Sequence, residues 1–107
     1  MNKELTLRLY ADFPALYQGH AEPQTESSMC WGFECGDGWY PLLRELSEQL
    51  MAHLDQHPEL KFEITQIKSK NHSLRIHSRG ADIVIETLIA RTCQQALVTP
   101  EIPEQCR

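Results

Sequence analysis

Four cysteines and five histidines in 107 residues raise the question of a metal centre first. Tetrahedral zinc takes four soft ligands, usually supplied as two short-spaced pairs. Cys30 and Cys35 form one loose pair five positions apart, Cys93 has no cysteine or histidine within four residues, and Cys106 lies close to the C-terminus. A zinc site would have to draw on Cys30, Cys35, Cys93 and Cys106 together, against the simpler reading of buried, inert thiols. His53 and His57 sit at i, i+4 on a helical pattern and could hold a metal, although such pairs are more often surface residues. The expectation is a protein without a metal or other cofactor.

The stretch Cys35-Gly36-Asp37-Gly38 invites a catalytic reading, with Cys35 as nucleophile or the glycines cradling a phosphate. A nucleophilic cysteine needs a base to raise its thiolate fraction, and no histidine lies near it in sequence. The glycine spacing matches neither the Walker nor the dinucleotide pattern, and no strand is expected before it. A turn with positive backbone angles feeding a helix accounts for both glycines. The chain therefore reads as a non-enzyme.

Half of the eight aromatic residues, Trp31, Phe33, Trp39 and Tyr40, fall between Cys30 and Leu43. Trp and Tyr are frequent energetic anchors of protein interfaces. A small domain also needs large side chains in its core, which is the favoured place for Trp39, while Trp31 and Phe33 divide evenly between core and surface. The charge is uneven around them. From Asp12 to Leu43 there are five acids (Asp12, Glu22, Glu26, Glu34, Asp37) and no Lys or Arg; from Lys61 to Arg79 there are five bases against Glu63 alone. Such polarity can steer a charged partner, and it can equally be a solvated face. Lys68, Lys70, Arg75 and Arg79 could track a phosphate backbone. The net charge of −5 and the absence of stacking aromatics among those bases argue against a dedicated nucleic-acid binder.

These residues must be positioned by a small number of elements. One domain is expected over 1–107, with a modest core. KELTLRLYA (3–11) reads as a helix capped by Asn2, with Leu5, Leu9 and Phe13 on one side and Pro14 ending it. Residues 18–28 form a polar, aperiodic segment expected to be a mobile loop, and prolines make 99–107 an irregular tail. Leu42, Leu43, Leu46, Leu50, Met51 and Leu54 mark the clearest helix, ending by His57 because Pro58 follows. Its start is ambiguous: Asp37 is the natural N-cap, yet Pro41 would then clash with the Asp37 carbonyl, so the helix begins at Tyr40 or opens with an irregular turn. Leu60, Phe62 and Ile64, then Leu74 and Ile76, alternate as two strands of a hairpin turning near Ser69-Lys70-Asn71, with a bulge between Ile64 and Ile67. A third helix fits between Gly80 and Val98. The predicted class is α+β: helix, long loop, helix, two-stranded antiparallel hairpin, helix, the helices packed on one hairpin face.

CWGFECGDGWYPLLRELSEQL resembles the start of small uncharacterised bacteriophage and prophage proteins built around a C-G-D-G-W helix entry. The resemblance spans about residues 29 to 93 and is specific at Cys35-Gly36-Asp37-Gly38-Trp39; FEITQIKSKNHSLRIHS occupies the position of the family's lysine-rich strand pair and ADIVIETLIARTC that of its acidic helix. Where the family carries a terminal Cys-x-x-Cys, this chain has RTCQQA, so Cys93 lacks the partner a zinc ribbon would need. The resemblance implies a phage setting, in which small acidic proteins act by binding and blocking host proteins, CRISPR machinery among them.

The reading that follows is a non-enzymatic phage or prophage accessory protein in the host bacterial cytoplasm, binding a host protein and inhibiting a nucleic-acid-targeting defence complex. Trp31, Phe33, Tyr40, Glu22, Glu26, Glu34 and Asp37 are the expected contacts. The alternative is a degenerate zinc-binding or nucleic-acid-binding regulator using the basic hairpin. No apolar run approaches the roughly 18 residues of a membrane span and the polar start is no signal peptide, so no membrane partner is expected, and self-association as a homodimer is left open.

Overall fold

Asn2 starts the first helix as expected. Its side-chain oxygen accepts from the Leu5 N–H (2.8 Å), and α1 runs Lys3–Asp12 before Pro14. The computed structural model describes residues 1–17, 33–71 and 73–99, and of Phe33 and Glu34 the backbone alone. The 18–28 segment and all of the 99–107 tail except Thr99 lie outside the described residues, as do Trp31, Glu22, Glu26, Cys30 and Cys106.

After α1 the order is β1 (Phe33–Glu34), a single 3-10 turn (Asp37–Trp39), α2 (Tyr40–Gln56), β2 (Glu63–Lys70), β3 (Ser73–Arg79) and α3 (Ile83–Leu97). The fold is α+β, with three helices and an antiparallel hairpin on which the helices pack. Two local expectations are corrected. A strand does precede Cys35: β1 pairs in parallel with β2, Phe33 beside Ile67 and Glu34 beside Lys68, making the sheet three-stranded in the order β1-β2-β3. Gly36 has φ −80°, and the positive-φ glycine among the described residues is Gly80 (81°). The Cys-Gly-Asp-Gly turn thus uses ordinary backbone, whereas Gly80 ends β3 so close to the Lys61 carbonyl that a Cβ there would run into it.

The irregular entry to α2 resolves the conflict between Asp37 and Pro41. A 3-10 turn brings the chain round, the α-helix begins at Tyr40, and Pro41 falls in its first turn, where a missing N–H costs nothing. Asp37 does not cap α2; its carboxylate is turned to Asn2. The hairpin carries the expected irregularity between Ile64 and Gln66, which keeps both Ile64 and Ile67 buried despite their odd spacing. Asn71 turns the hairpin at φ 53°, a left-handed position that asparagine tolerates.

The core lies between the helices and one sheet face. Trp39, Leu43, Leu46 and Leu50 meet Phe62, Ile64, Ile67 and Leu74 from the sheet, Ile85 and Ala96 from α3, and Leu9, Leu16 and Tyr17 from the N-terminal segment. Trp39 is buried, as expected, and its Nε1–H donates to the Thr99 carbonyl (2.9 Å), tying the entry of α2 to the end of α3. No helix among the described residues is long and apolar enough to cross a membrane.

Candidate functional site

The aromatic and acidic residues expected to bind a partner are brought together only in part. Tyr40 is half-buried at the head of α2, its hydroxyl accepting from Arg44 (3.1 Å). Asp37 holds Asn2, and the backbone of Phe33 and Glu34 is committed to β1. The C-G-D-G-W segment is a structural junction in this fold. The Cys35 carbonyl accepts from the N-terminal ammonium of Met1, Asp37 fixes Asn2, and Trp39 reaches Thr99.

Of the cysteine candidates, Cys35 and Cys93 lie among the described residues. Cys35 is buried and Cys93 half-buried on α3, and burial pushes the Cys93 thiol up, with the Arg75 guanidinium working weakly the other way. A raised thiol pKa disfavours the thiolate needed by a nucleophile or a zinc ligand. The His53 and His57 rings are in contact at a tilt, with centroids 4.5 Å apart and planes at 43°, but each turns to a carboxylate: His53 Nε2 lies 2.8 Å from Asp82 Oδ2, and His57 Nδ1 lies 3.4 Å from Glu59 Oε1. Among the described residues no three His, Cys, Asp or Glu side chains converge on a metal position. Asp82 also caps α3 by accepting from the Ile85 N–H (2.9 Å), and that bond first, then His53, holds its carboxyl below the usual carboxylate range. His53 with Asp82 links the end of α2 to the start of α3, whereas His57 faces Glu59 next to its own helix.

Charge is divided between the two layers. On α2, Glu45, Glu48 and Asp55 are exposed and fall on one side of the helix, around Ala52. On α1, Glu4 pairs with Arg8 (2.9 Å) and Asp12 with Arg44 (2.8 Å), whereas Glu45, Glu48 and Asp55 of α2 have no ion pair among the described residues. The acidic side continues into a groove of about 530 Å³ between the end of α2, the Ala15 turn and the start of β2. Met51, Leu54, Pro58, Leu60 and Phe62 give it an apolar lining, and Asp55, Lys61 and Glu63 contribute charge. Glu63 bonds Arg79 through Oε1, while its Oε2 is buried with no hydrogen-bond partner.

The opposite sheet face is basic. Ile67, Leu74 and Ile76 point to the helices, so Lys68, Arg75 and His77 point away from them. Lys68 stands directly across from Arg75 in the antiparallel register, with no ion-pair partner for either among the described residues. Like charges at opposed positions cost stability. Lys70 is exposed beyond this pair, and Arg79 is bound to Glu63.

Glu45, Glu48 and Asp55 are not among the contacts expected from the sequence. Their spacing at i, i+3 and i+10 was the available signal; their lack of counterions and their continuity with the groove arise from tertiary placement. In comparison with family models, curated proteins and solved structures, no match to this chain is found.

Proposed function

We propose that this chain is a non-enzymatic binding protein that docks a basic host protein through the outer side of α2 and the groove beside it. One observation carries the reading: Glu45, Glu48 and Asp55 are exposed, without an ion pair among the described residues and co-facial, and Asp55 leads into a largely apolar groove. Exposed acids accelerate encounter with a basic surface, and an apolar groove rimmed by acid suits the methylene stem and charged head of a Lys or Arg from that partner. Glu22, Glu26, Glu34, Trp31 and Phe33 are proposed as further contacts on the sequence alone, whereas Asp37 and Tyr40 are held by Asn2 and Arg44.

The phage or prophage setting, the host bacterial cytoplasm and a nucleic-acid-targeting defence complex such as CRISPR as target rest on the resemblance carried by Cys35–Trp39. A groove built to hold nucleic acid is the kind of basic surface such an acidic side would occupy. The test is association kinetics with a captured partner at two salt concentrations. Charge reversal at Glu45 and Glu48 slows association, and added salt erases the difference. Association that is indifferent to these reversals refutes the reading.

A second reading has its own observation. Lys68 and Arg75 stand opposite each other with Lys70 exposed beyond them, a basic patch bordered by Glu34 in register on the other side of Lys68, so the sheet face is the alternative working surface, contacting nucleic acid directly. Fluorescence anisotropy with single- and double-stranded oligonucleotides distinguishes the two, since this reading requires salt-sensitive binding lost on Lys68→Glu and Arg75→Glu.

A further inference from the structure

The core side of α3 is Ile85, Thr92 and Ala96, which are buried. On the opposite side, Ile83, Thr87, Ala90, Gln94 and Leu97 follow one another at steps of four and three residues, and all five are exposed. Ile83 is 74% exposed and Leu97 65%, among the largest apolar exposures in the described residues. Steps of four and three are the spacing of a seam between two helices. Glu86 and Arg91 flank this stripe on its two sides, both exposed. Five residues apart on one helix, they do not meet each other. Neither has an ion pair among the described residues, and Glu45, which lines a small shallow pocket with Arg91, makes none with it.

We propose that this stripe is a self-association surface, on which two copies of the chain pair α3 against α3 in parallel, Glu86 of each copy beside Arg91 of the other. Parallel pairing brings a flanking position of one helix beside the opposite flank of its neighbour five residues further on, which is the separation of Glu86 and Arg91. A two-fold axis along the seam makes both ion pairs at once. Antiparallel pairing would set the like-charged flanks against each other. Ile83 and Leu97 close the two ends of the seam, and Ala90 lets the helices approach at its middle. With Thr87 and Gln94 also in the seam and little more than two heptads of length, the dimer is a dissociable one. The seam lies on α3, so the acidic side of α2 stays open in both copies, and this inference stands or falls apart from the proposed function.

The test is sedimentation equilibrium of the purified chain from micromolar to submillimolar concentration. A monomer–dimer equilibrium is expected, and Glu86→Arg and Arg91→Glu should each weaken it by about tenfold or more, because each variant turns two attractions into two repulsions. The combined Glu86→Arg/Arg91→Glu variant should return to near the wild-type constant, and so should an equimolar mixture of the two single variants. Ile83→Glu should leave a monomer with an unchanged circular dichroism spectrum, and Glu45→Gln should leave the dimer unchanged. A chain that is monomeric throughout overturns the proposal. A dimer that ignores the single reversals overturns it, as does one that fails to recover in the combined variant or is lost on Glu45→Gln.

Discussion

The Asp37 carboxylate accepts from both the backbone N–H of Asn2 (2.6 Å) and its side-chain amide (3.0 Å), across 35 positions of sequence. Asn2 in turn caps α1 through its oxygen, so one acid in the turn before α2 orients the cap of α1. Asp37→Ala should cost about 1 kcal/mol, since two exposed hydrogen bonds to a charged acceptor are exchanged for water. Asn2→Ala should cost at least as much, because it also removes the cap. Urea midpoints of the two variants and of their combination check this. The combination should cost less than the sum, because both sites share one interaction.

A buried polar pair gives a second expectation. The Ser47 hydroxyl donates to the Leu43 carbonyl (2.8 Å), so the Tyr17 hydroxyl, 2.7 Å away, is the donor to Ser47 Oγ. Burial pushes the Tyr17 phenol well above its ordinary value, which keeps it a donor at every working pH. Ser47→Ala takes that acceptor from a fully buried phenol and should destabilise by about 1–3 kcal/mol. Tyr17→Phe/Ser47→Ala should be less destabilised than the sum of the single variants, read from denaturant unfolding.

The elements legible in the sequence are those whose signal is local. Leu43, Leu46 and Leu50 announce α2 by period, Asn2 announces α1 by capping, and the step from Ile64 to Ile67 announces the bulge. What escaped is non-local. β1 is two residues of parallel pairing, too short to have a period. Asp37 looks like a cap for the helix that follows it, and only the tertiary arrangement delivers it to Asn2. Gly36 and Gly38 suggest positive φ by type, yet the glycine forced into that region is Gly80, where β3 passes the Lys61 carbonyl. The basic side of the hairpin was legible because strand alternation exposes it directly. The acidic side of α2 looked ordinary because its missing counterions are a property of the folded neighbourhood.

Gly80→Ala should therefore be costly. Its φ of 81° and the Lys61 carbonyl both oppose a Cβ, so a loss of more than about 1 kcal/mol is expected in thermal or denaturant unfolding. A neutral result would mean that the turn between β3 and α3 rearranges freely.

Stability should also fall at acid pH through Asp82. The folded state holds this carboxyl below its ordinary value, through the Ile85 N–H and then His53. Its stabilisation is therefore complete above the unfolded-state pKa of about 3.9 and is lost as pH falls through the lower folded value. Asp82→Asn keeps a capping oxygen without the titration, so its urea midpoint should fall less steeply below about pH 4 than that of the wild type. Parallel curves would remove Asp82 from the acid response.

The proposed function is tested most directly by affinity capture from nuclease-treated bacterial host lysate, read by quantitative mass spectrometry. Three immobilised chains are compared: the wild type, Glu45→Lys/Glu48→Lys/Asp55→Lys, and Lys68→Glu/Arg75→Glu. The expected result is a discrete host protein retained by the wild type and by the base-reversed chain, released by salt, and lost from the acid-reversed chain. Retention that survives acid reversal but disappears with base reversal would contradict the account and make the sheet face the working surface.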